Sequence, residues 1–541
     1  MPEPTPTPLH TTEILPLAAP AATELQMSVR GPVYGRRGAV AAGQPIATTI
    51  GLDVLRAGGN AIDAALAVSA AMAVVQPQSS QLGGDAFVQV RTADGQTVAL
   101  NAGGRAPMAA TPDQYPDGVP LSGARAVAVP GLVDTWCALQ ERFATRPLAE
   151  LLAPAVSLAR DGFPTTRSLS LSLRGAEHAL GADEGCREAF LRGAAPKAGA
   201  TFQQPELART LEAIGAGGRE AFYGGETGAR IVATMNRLGG LIAKEDLERN
   251  QAVWGESLRT TYRDWTVYEQ PLPSQGYMTL EALNIIEGLG LGDALTSSRT
   301  VHLVAEAIRL AFLDRHACAG DPDFAEMPVE RILSKEHAAE LRARIDGNAA
   351  GPAVATHGGH TTSFAVADGD GNLVTFIQSV FAPWGARVVV PDTGVLLNNR
   401  MTGFSLDPAS PNALRPGKRT VHTLNTWILE RDGTVYAGGT PRADFQVQTN
   451  VQVIMGLVDW RLNPQWAIDA PKWVLLPRGE LGIEPRFPRE TLLELAARGH
   501  RIVELPAWAL TACDHQMVGR AADGALLAAS DSRGEGAALA W

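Results

Sequence analysis

A short threonine-serine pattern near residue 361 has the side chains and the spacing needed for nucleophilic chemistry. Residues 360–368, HTTSFAVAD, begin where a glycine-rich run ends and a strand-like run starts. If the GDG that follows forms a three-residue hairpin loop, Asp368 pairs with Asn372 and Thr361 lies opposite Ser379. Residues directly opposite each other share one face of a sheet, so the two hydroxyl groups would be neighbours.

A threonine hydroxyl becomes a useful nucleophile when the threonine begins a chain. Its own α-amino group, with a pKa of about 7.7–8.0, then lies within reach as a general base. This chemistry requires cleavage of the chain immediately before Thr361. The alternative is that Thr361 and Thr362 only supply β-branched side chains to a strand, which is the common role of such a pair.

Most other chemical motifs are missing from the sequence. It contains no GxGxxG, GxxxxGK[ST], HExxH or GxSxG pattern, and the glycines of residues 288–292 have the wrong spacing for a dinucleotide site. His357 and His360 could face one metal ion, but no third ligand lies close by in sequence. We therefore expect no metal ion and no cofactor. The cysteines lie far apart and form no CxxC pair, which favours buried thiols over a disulfide framework; they are Cys137, Cys186, Cys318 and Cys513.

Two helices are predicted early in the chain. An apolar helical period begins at Pro45 and stops at Gly58-Gly59, after which Asn60 is suited to cap a second helix. The run from Ala61 to Val75 is almost free of charge and should be buried on most sides.

The rest of the chain mixes helical and strand patterns. Residues 145–345 are mostly helical by period, and Thr300 is the predicted cap of a helix whose apolar stripe starts at Val301. From Thr361 onward, short alternating segments are separated by Gly, Asp and Asn. They predict strands at 361–368, 373–380, 387–390 and 434–437.

Composition excludes several broad classes of protein. Of 541 residues, 45% are hydrophobic and 19% are charged, which is enough apolar material for a large core. The 46 basic and 57 acidic side chains give a net charge of −11, which argues against a nucleic-acid surface. The sequence has no apolar run long enough to span a membrane and no signal-peptide pattern. We therefore expect a cytoplasmic protein without a membrane or nucleic-acid partner, with a disordered leader over residues 1–35.

From about residue 36 to 535 the sequence resembles the γ-glutamyltransferase family. The matching segments are QPIATTIGLDVLRAGGNAIDAALAVSAAMAVVQPQ, LGGDAF, AVPGLVDTW, GGLIAKEDL, PLPSQG, AEAIRLAFLDR with GDPDF, GGHTTSFAVADGDGN, TGVLLNNRMTGFS and PGKRTVHT. The resemblance implies an N-terminal-nucleophile hydrolase, whose fold is a four-layer αββα sandwich of the α/β class. Proteins of this kind are made as a precursor that cleaves itself.

The resemblance also implies where this precursor is cut, between His360 and Thr361. The products would be a large subunit, residues 36–360 after the leader, and a small subunit, residues 361–541. These would stay associated as one composite domain and a heterodimer, and a higher oligomer is open. Thr361 would be the nucleophile for both self-cleavage and catalysis. Ser379 matches the family's second hydroxyl, usually Thr, and the hairpin register reaches the same pair independently.

Three residues match the family's contacts to the carboxylate of the acyl donor. Arg105, in the segment NAGGRAP, matches an arginine that binds this carboxylate, and a guanidinium can do so bidentately. The alternative is an ordinary surface arginine. The family's adjacent serines match His422 and Thr423, and His422 can equally be a satisfied structural histidine.

The sequence departs from the family at the contacts for a glutamyl ammonium group. The family's Asn, Gln and Asp match Phe381, Arg400 and Gly403, which leaves no anion for the ammonium. Arg400 would instead repel a cation and could attract a second carboxylate. The family's oxyanion-hole glycines match Arg442 and Ala443. Their backbone N–H groups could still serve, although a left-handed conformation costs a non-glycine residue about 1–2 kcal/mol.

These matches and departures predict a self-processing amidohydrolase that attacks an amide of a small molecule through a Thr361 acyl-enzyme and releases the acid to water. Because Arg105 persists while the ammonium contacts vanish, the expected acyl group carries a carboxylate and no α-amino group, as in an oxamate-like or glutaryl-like amide. One alternative is an ordinary γ-glutamyltransferase or glutathione hydrolase. Another is a catalytically inactive relative that acts as a binding protein, an alternative motivated by Arg442 and Ala443.

Overall fold

Two large β-sheets lie face to face at the centre of the molecule. A computed structural model describes residues 30–349, 351, 359, 361–510 and 513–541, and within these residues each of the two sheets has seven strands. Helices cover the outer face of each sheet. The architecture is therefore the expected α/β sandwich with four layers in the order αββα.

The helices vary from single turns to 21 residues. In chain order they are α1 Pro45–Arg56, α2 Ala61–Val75, α3 Leu132–Arg142, α4 Leu148–Asp161, α5 Arg167–Leu180, α6 Glu184–Cys186, α7 Pro205–Tyr223, α8 Glu226–Leu238, α9 Lys244–Arg249, α10 Tyr277–Glu287, α11 Ser298–Cys318, α12 Val329–Ile332, α13 Lys335–Arg342, α14 Phe445–Val458, α15 Pro464–Asp469 and α16 Arg489–Ala497. Short 3₁₀ turns lie at Pro112–Gln114, Ala124–Ala126 and Arg400–Gly403, and a π turn lies at Arg187–Leu191.

The strands are short and mostly antiparallel. They are β1 Val33–Gly35, β2 Gly38–Ala42, β3 Asp85–Arg91, β4 Thr97–Ala102, β5 Phe163–Pro164, β6 Thr201–Phe202, β7 Val253–Glu256, β8 Leu258–Tyr262, β9 Trp265–Glu269, β10 Thr362–Asp368, β11 Leu373–Ser379, β12 Val389–Val390, β13 Val395–Leu396, β14 Trp427–Arg431, β15 Thr434–Gly439, β16 Trp473–Leu475, β17 Leu481–Ile483, β18 Ile502–Glu504, β19 Gln516–Arg520, β20 Leu526–Ser530 and β21 Ala537–Ala540. Sheet one has the order β1-β20-β19-β15-β14-β9-β8, and sheet two has the order β21-β2-β10-β11-β3-β4-β7.

The hydrophobic core follows these layers. Helices α1 and α2 pack on β2, β10 and β11 of sheet two, and helix α10 packs on β8 and β9 of sheet one. Between the sheets the packed side chains are mostly small, as in Ala365, Ala367 and Ala437. Small side chains let the two sheets approach closely, so β10 also contacts β15 and β19 of the other sheet.

Most of the predicted early elements are confirmed. Helix α2 has Asn60 as its cap: the Asn60 side chain accepts hydrogen bonds from the N–H groups of Ile62 and Asp63, and Asp63 completes a capping box. Every residue of α2 is buried, as its low charge predicted. Among the described residues, no helix combines the length and the apolar character needed to cross a membrane.

Two predictions on element boundaries are wrong. Helix α11 is capped by Ser297, whose side chain accepts the Thr300 N–H, so Thr300 lies inside the helix. The predicted leader ends too late, because strand β1, Val33–Gly35, pairs with β20 at the edge of sheet one. Residues 1–29 lie outside the described part of the chain. Strand boundaries elsewhere shift by a few residues: the segment predicted at 387–390 narrows to β12, and that predicted at 434–437 extends to Gly439.

Candidate active site

The hairpin of β10 and β11 places two hydroxyl groups side by side. Its register runs from Ala367 opposite Leu373 to Thr362 opposite Gln378, which continues to Thr361 opposite Ser379. Thr361 Oγ1 donates a hydrogen bond to Ser379 Oγ over 3.1 Å. Both residues are buried, on the hairpin face turned toward sheet one. The predicted pairing of the two hydroxyls is therefore confirmed.

A sharp turn after β11 holds Ser379 in place. The backbone N–H of Phe381 donates to Ser379 Oγ over 2.8 Å, and Phe381 itself has a positive φ of 79°. On the other side of β11, Ser379 pairs with Asp85, the first residue of β3. The Ser379 hydroxyl is thus fixed between the nucleophile candidate and a rigid turn.

Asp85 is the centre of a buried polar cluster that sequence reasoning did not identify. Its Oδ1 accepts the Gly104 N–H at 3.0 Å, and its Oδ2 accepts from Arg400 Nε at 2.8 Å and His422 Nε2 at 3.2 Å. Burial alone would raise the pKa of Asp85, but the charge of Arg400 and the contact with His422 outweigh burial and lower it. Asp85 is therefore ionised and is the counterion of Arg400.

His422 is a structural histidine in this cluster. Its Nδ1 accepts the Leu424 N–H at 3.3 Å, so Nε2 carries the proton that is donated to Asp85. Burial and the nearby charge of Arg400 lower the pKa of His422 to about 4. The ring also lies 4.4 Å from that of Phe87, centroid to centroid. Of the two roles considered for His422, this geometry favours the structural one.

Arg400 is almost completely buried, and one nitrogen of its guanidinium group makes no hydrogen bond to the described residues. Its guanidinium stacks on the Phe381 ring, with Cζ 4.3 Å from the ring centroid. Its Nη2 has no hydrogen-bond partner among the described residues. That Arg400 attracts a second carboxylate, from the substrate, stays a prediction, because in this structure its carboxylate partner is Asp85.

Arg105 lies in a different ion-pair network. Its Nη2 donates to Asp323 over 2.9 Å, its Nη1 donates to the Gly417 carbonyl over 3.1 Å, and Asp321 lies 3.9 Å away. About a quarter of its side chain, 28%, is exposed. A donor carboxylate at Arg105 would therefore have to share or replace the contact with Asp323.

Arg442 and Ala443, which match the family's oxyanion-hole glycines, both have positive φ angles. Their φ angles are 103° and 48°, both in the region that disfavours residues with a Cβ. The side-chain amide of Gln275 holds the turn by donating to the carbonyls of Ala443 at 3.0 Å and Thr423 at 2.9 Å. The backbone strain predicted for non-glycine residues at these positions is therefore present. Gln275, which the sequence did not indicate as a site residue, helps to stabilise the turn.

Gly359, two residues before Thr361, lies between the turn at Phe381 and the turn at Ala443. Gly359 lies so close that a Cβ built on it would be 3.1 Å from the Cβ of Ala443 and 3.2 Å from the carbonyl oxygen of Phe381. His360, the residue before the predicted cut, and His357 lie outside the described residues. Gly359 itself thus lies directly beside Ala443 of the predicted oxyanion hole.

A cavity of about 330 Å³ opens beside Phe381 and Thr423. Its described lining contains the cationic or titratable side chains Arg315 and His316 and no aspartate or glutamate. The remaining lining is apolar or carries hydroxyl and amide groups, from Ala319, Phe381, Thr402, Gly403, Phe404, Ser405, Ser410, Asn412, Val421 and Thr423. Arg315 Nη1 donates to Asp444 over 2.6 Å, which ties the cavity wall to the residue after Ala443.

The arrangement can support acyl transfer through Thr361. It combines a nucleophile candidate, a second hydroxyl at hydrogen-bond distance, a strained turn with backbone N–H groups, and an adjacent cavity. Sequence reasoning missed Asp85, Gln275 and Arg315. The signal for Asp85 was its place directly after Gly83-Gly84 at the start of a predicted strand.

Comparison with known proteins extends this result to the whole chain. The gamma-glutamyltranspeptidase family profile matches residues 47–541. The chain is 36% identical over 529 residues to a glutathione hydrolase-like YwrD proenzyme of Bacillus subtilis (strain 168), covering 94% of this chain and 99% of that protein. It is 33% identical over 512 residues to an oxamate amidohydrolase proenzyme of Klebsiella pneumoniae, covering 92% and 97%.

A solved structure agrees with the fold and with the extent of the match. The crystal structure of a cephalosporin acylase from Bacillus halodurans superposes with a TM-score of 0.90 at 37% identity, covering 97% of this chain and 99% of that one. These matches bear out an N-terminal-nucleophile amidohydrolase whose relatives are made as proenzymes. The chain therefore belongs to the gamma-glutamyltranspeptidase family.

Proposed function

We propose that this protein hydrolyses amides whose acyl group carries a carboxylate but no α-amino group, as in oxamate-like or glutaryl-like compounds. The observation that carries the proposal is the cavity lined by Phe381, whose backbone N–H holds the Ser379 hydroxyl. Its described lining offers Arg315 and His316 but no carboxylate to bind an ammonium group. The charge of Arg315 is offset by Asp444, so the missing counterion decides the preference: an ammonium group in this cavity would lose its hydration without gaining a carboxylate partner from the described lining.

The reaction begins with self-cleavage of the bond between His360 and Thr361. This frees the α-amino group of Thr361 and yields two chains, residues 1–360 and 361–541, that remain a heterodimer. The amine accepts the proton of Thr361 Oγ1 as this oxygen attacks the substrate carbonyl. Ser379, held by the Phe381 N–H, keeps the threonine hydroxyl oriented.

The tetrahedral intermediate places negative charge on the former carbonyl oxygen. Backbone N–H groups of the turn at Arg442 and Ala443 stabilise this charge. Collapse of the intermediate expels the amine, which takes up the proton held by the Thr361 amino group. Water then attacks the Thr361 ester, and the Thr361 amine takes a proton from the water. The ester bond breaks, the amine returns the proton to Thr361 Oγ1, and the acid is released.

The relatives support this range of substrates without choosing one. Oxamate, in the name of the Klebsiella relative, is a monoamide that carries a carboxylate and no α-amino group. The Bacillus halodurans structure is of a cephalosporin acylase. The name of the YwrD relative includes glutathione hydrolase, so ordinary γ-glutamyl chemistry is the second candidate function.

The two candidates are separated by a pair of substrates that differ only in the amino group. We expect kcat/KM for a glutaryl anilide to exceed that for the matching γ-glutamyl anilide by about 10-fold or more. The reason is that the ammonium group of the γ-glutamyl compound would be buried without a counterion. A faster reaction with the γ-glutamyl compound would refute the proposal. Thr361→Ala serves as the blank for both substrates.

A change in the cavity wall tests the cause of this preference. Ser405 lines the cavity, and Ser405→Asp adds a carboxylate where the described lining has none. This variant should shift the ratio of kcat/KM values toward the γ-glutamyl anilide. Ser405→Asn introduces a side chain of nearly the size of aspartate but without its charge, and should leave the ratio of kcat/KM values unchanged.

A further inference from the structure

A second group of chemically active side chains lies in the helical layer outside sheet one. Glu281 on α10, Asp314 on α11 and His337 on α13 each offer one ligand atom, and these atoms lie within 4.8 Å of one another. His337 Nε2 is 2.6 Å from Asp314 Oδ2 and 3.8 Å from Glu281 Oε1. The three helices therefore bring an imidazole and two carboxylates to one point.

Glu281 is the unusual member of this group. It is fully buried, and neither of its carboxylate oxygens has a hydrogen-bond partner within the described part of the chain. Among the ion pairs of the described residues, Glu281 and Asp314 are paired with His337 and with no lysine or arginine. Burial disfavours the ionised form of Glu281 unless a cation lies beside it, and none of the described lysines or arginines supplies one.

We propose that Glu281, Asp314 and His337 bind a divalent transition-metal ion, with Zn²⁺ as the best-suited probe. A divalent cation neutralises both carboxylates, and one imidazole with two carboxylates is a common ligand set for such ions. On binding, the proton of the neutral His337 ring moves from Nε2 to Nδ1, so that the Nε2 lone pair binds the ion in place of the hydrogen bond to Asp314, and the proton of the buried Glu281 carboxyl leaves to solvent. A water molecule completes the coordination.

The far side of the His337 ring is suited to this role. Glu340 Oε2 lies 3.6 Å from His337 Nδ1, which has no hydrogen-bond partner among the described residues. A small movement of the exposed Glu340 side chain would let it accept a proton on Nδ1, the arrangement that fixes the tautomer of many metal-bound histidines. Asp314 is partly exposed, with 23% of its side chain accessible, which gives the ion an entrance.

The proposed site is distinct from the acyl cavity. Glu281, Asp314 and His337 are absent from the cavity's described lining, although Arg315, the next residue after Asp314, does line it. The ion would join α10, α11 and α13 behind one wall of the cavity. We therefore assign it a structural role.

A comparable cluster at the other end of α11 does not need an ion. His302, Glu306 and His500 also bring three possible ligands together. However, the two ring nitrogens of His302 are engaged by His500 Nε2 at 2.9 Å and the Asp346 carbonyl at 2.8 Å, and Glu306 is paired with Arg309 at 2.8 Å. This cluster is satisfied without metal and serves as an internal control.

The test uses the full-length protein after removal of metal with EDTA and dialysis. Calorimetric titration with Zn²⁺ alone, together with metal analysis of the dialysed complex, should show one bound ion per chain. Cobalt(II) in place of zinc should give the visible absorption of a site with bound imidazole. Glu281→Gln and His337→Gln should each weaken Zn²⁺ binding by about 10-fold or more. Glu336→Gln, on the exposed side of α13, should bind as the wild type does.

Two results would overturn the proposal. One is absence of Zn²⁺ and Co²⁺ binding by the wild-type protein, which needs no variant and is read without any activity measurement. The other is binding that survives in Glu281→Gln and His337→Gln but is lost in His500→Gln, which would place the ion in the other cluster. If a variant fails to fold by circular dichroism, Asp314→Asn takes its place.

Discussion

Thr361 Oγ1 lies 3.1 Å from Ser379 Oγ, at the end of a hairpin whose register alone brings the two residues together. Ser379 also accepts the N–H of Phe381 at 2.8 Å, so its oxygen cannot drift away from the threonine. One hydroxyl is thereby oriented by another that is itself fixed by the backbone. This geometry suits a nucleophile that must be positioned both in the precursor and in the mature enzyme.

Ser379→Ala should lower kcat while leaving the fold intact. Loss of the Ser379 oxygen removes the only hydrogen bond that orients the Thr361 hydroxyl among the described residues. A misplaced nucleophile lowers the rate on the order of 100-fold. Ser379→Thr keeps the hydroxyl and should retain most of the activity. Steady-state kinetics on the glutaryl anilide compare the two variants, and equal activity of Ser379→Ala and wild type would exclude this role.

The Asp85–Arg400 pair should contribute to stability as a unit. Asp85→Ala leaves the buried guanidinium of Arg400 without its counterion and should lower the free energy of unfolding by about 3–5 kcal/mol. Asp85→Leu combined with Arg400→Met removes both charges and should recover most of that loss. Urea unfolding of Asp85→Leu, Arg400→Met and the double variant completes the cycle that gives the coupling energy. Additive effects would show that the two side chains do not depend on each other.

Stability should depend on pH through Asp514. Burial raises the pKa of Asp514 to about 7, although Arg442 nearby opposes the shift. In the unfolded chain the Asp514 carboxyl has a pKa near its ordinary value of 3.8. Between about pH 4 and 7, Asp514 is therefore protonated in the folded protein and ionised in the unfolded chain. The stabilising contribution is complete at low pH and is lost as pH rises through 7, by at most about 1.4 kcal/mol per pH unit.

Removal of the Asp514 carboxyl should flatten this dependence. We expect the melting temperature of Asp514→Asn to fall less than that of the wild type between pH 4 and 7. Asp117→Asn, at an exposed position, provides the matched change and should follow the wild-type curve. A wild-type curve that rises over this interval relative to Asp514→Asn would contradict the assignment.

Ala443→Gly should relieve backbone strain at the proposed oxyanion hole. Ala443 has a φ of 48°, and a glycine there avoids the left-handed penalty at the cost of a more flexible unfolded chain, for a net gain of about 0.5–1 kcal/mol. Ala437→Gly within β15 has no such strain to relieve and should lose a similar amount. Activity of Ala443→Gly should be retained, because the backbone N–H groups remain. A loss of stability equal to that of Ala437→Gly would mean that residue 443 is not strained.

Features set by local sequence were predictable. Asn60 is followed by a run of small and apolar residues in which Asp63 is the one charged side chain, and it caps α2 as expected. The register of β10 and β11 follows from one short loop, so the meeting of Thr361 and Ser379 could be derived without tertiary information. Resemblance to a family supplied the layer order that local patterns could not.

Features that depend on distant contacts were not predictable. Asp85 is separated from Arg400 by 315 positions, and nothing near it in sequence indicates the ion pair. The partner of Arg105, Asp323, comes from the segment after α11, 218 positions away. Strand β1 was assigned to a disordered leader because its pairing partner, β20, is almost at the other end of the chain.

The central claim is that cleavage before Thr361 creates the nucleophile, and intact-mass analysis of the purified protein with N-terminal sequencing tests it most directly. We predict two chains, of which the smaller begins at Thr361 and carries the acyl group after brief exposure to substrate. Thr361→Ala should remain a single 57.0 kDa chain without amidase activity. A wild-type protein that stays uncleaved yet hydrolyses amides, or a small chain that begins at another residue, would contradict the account.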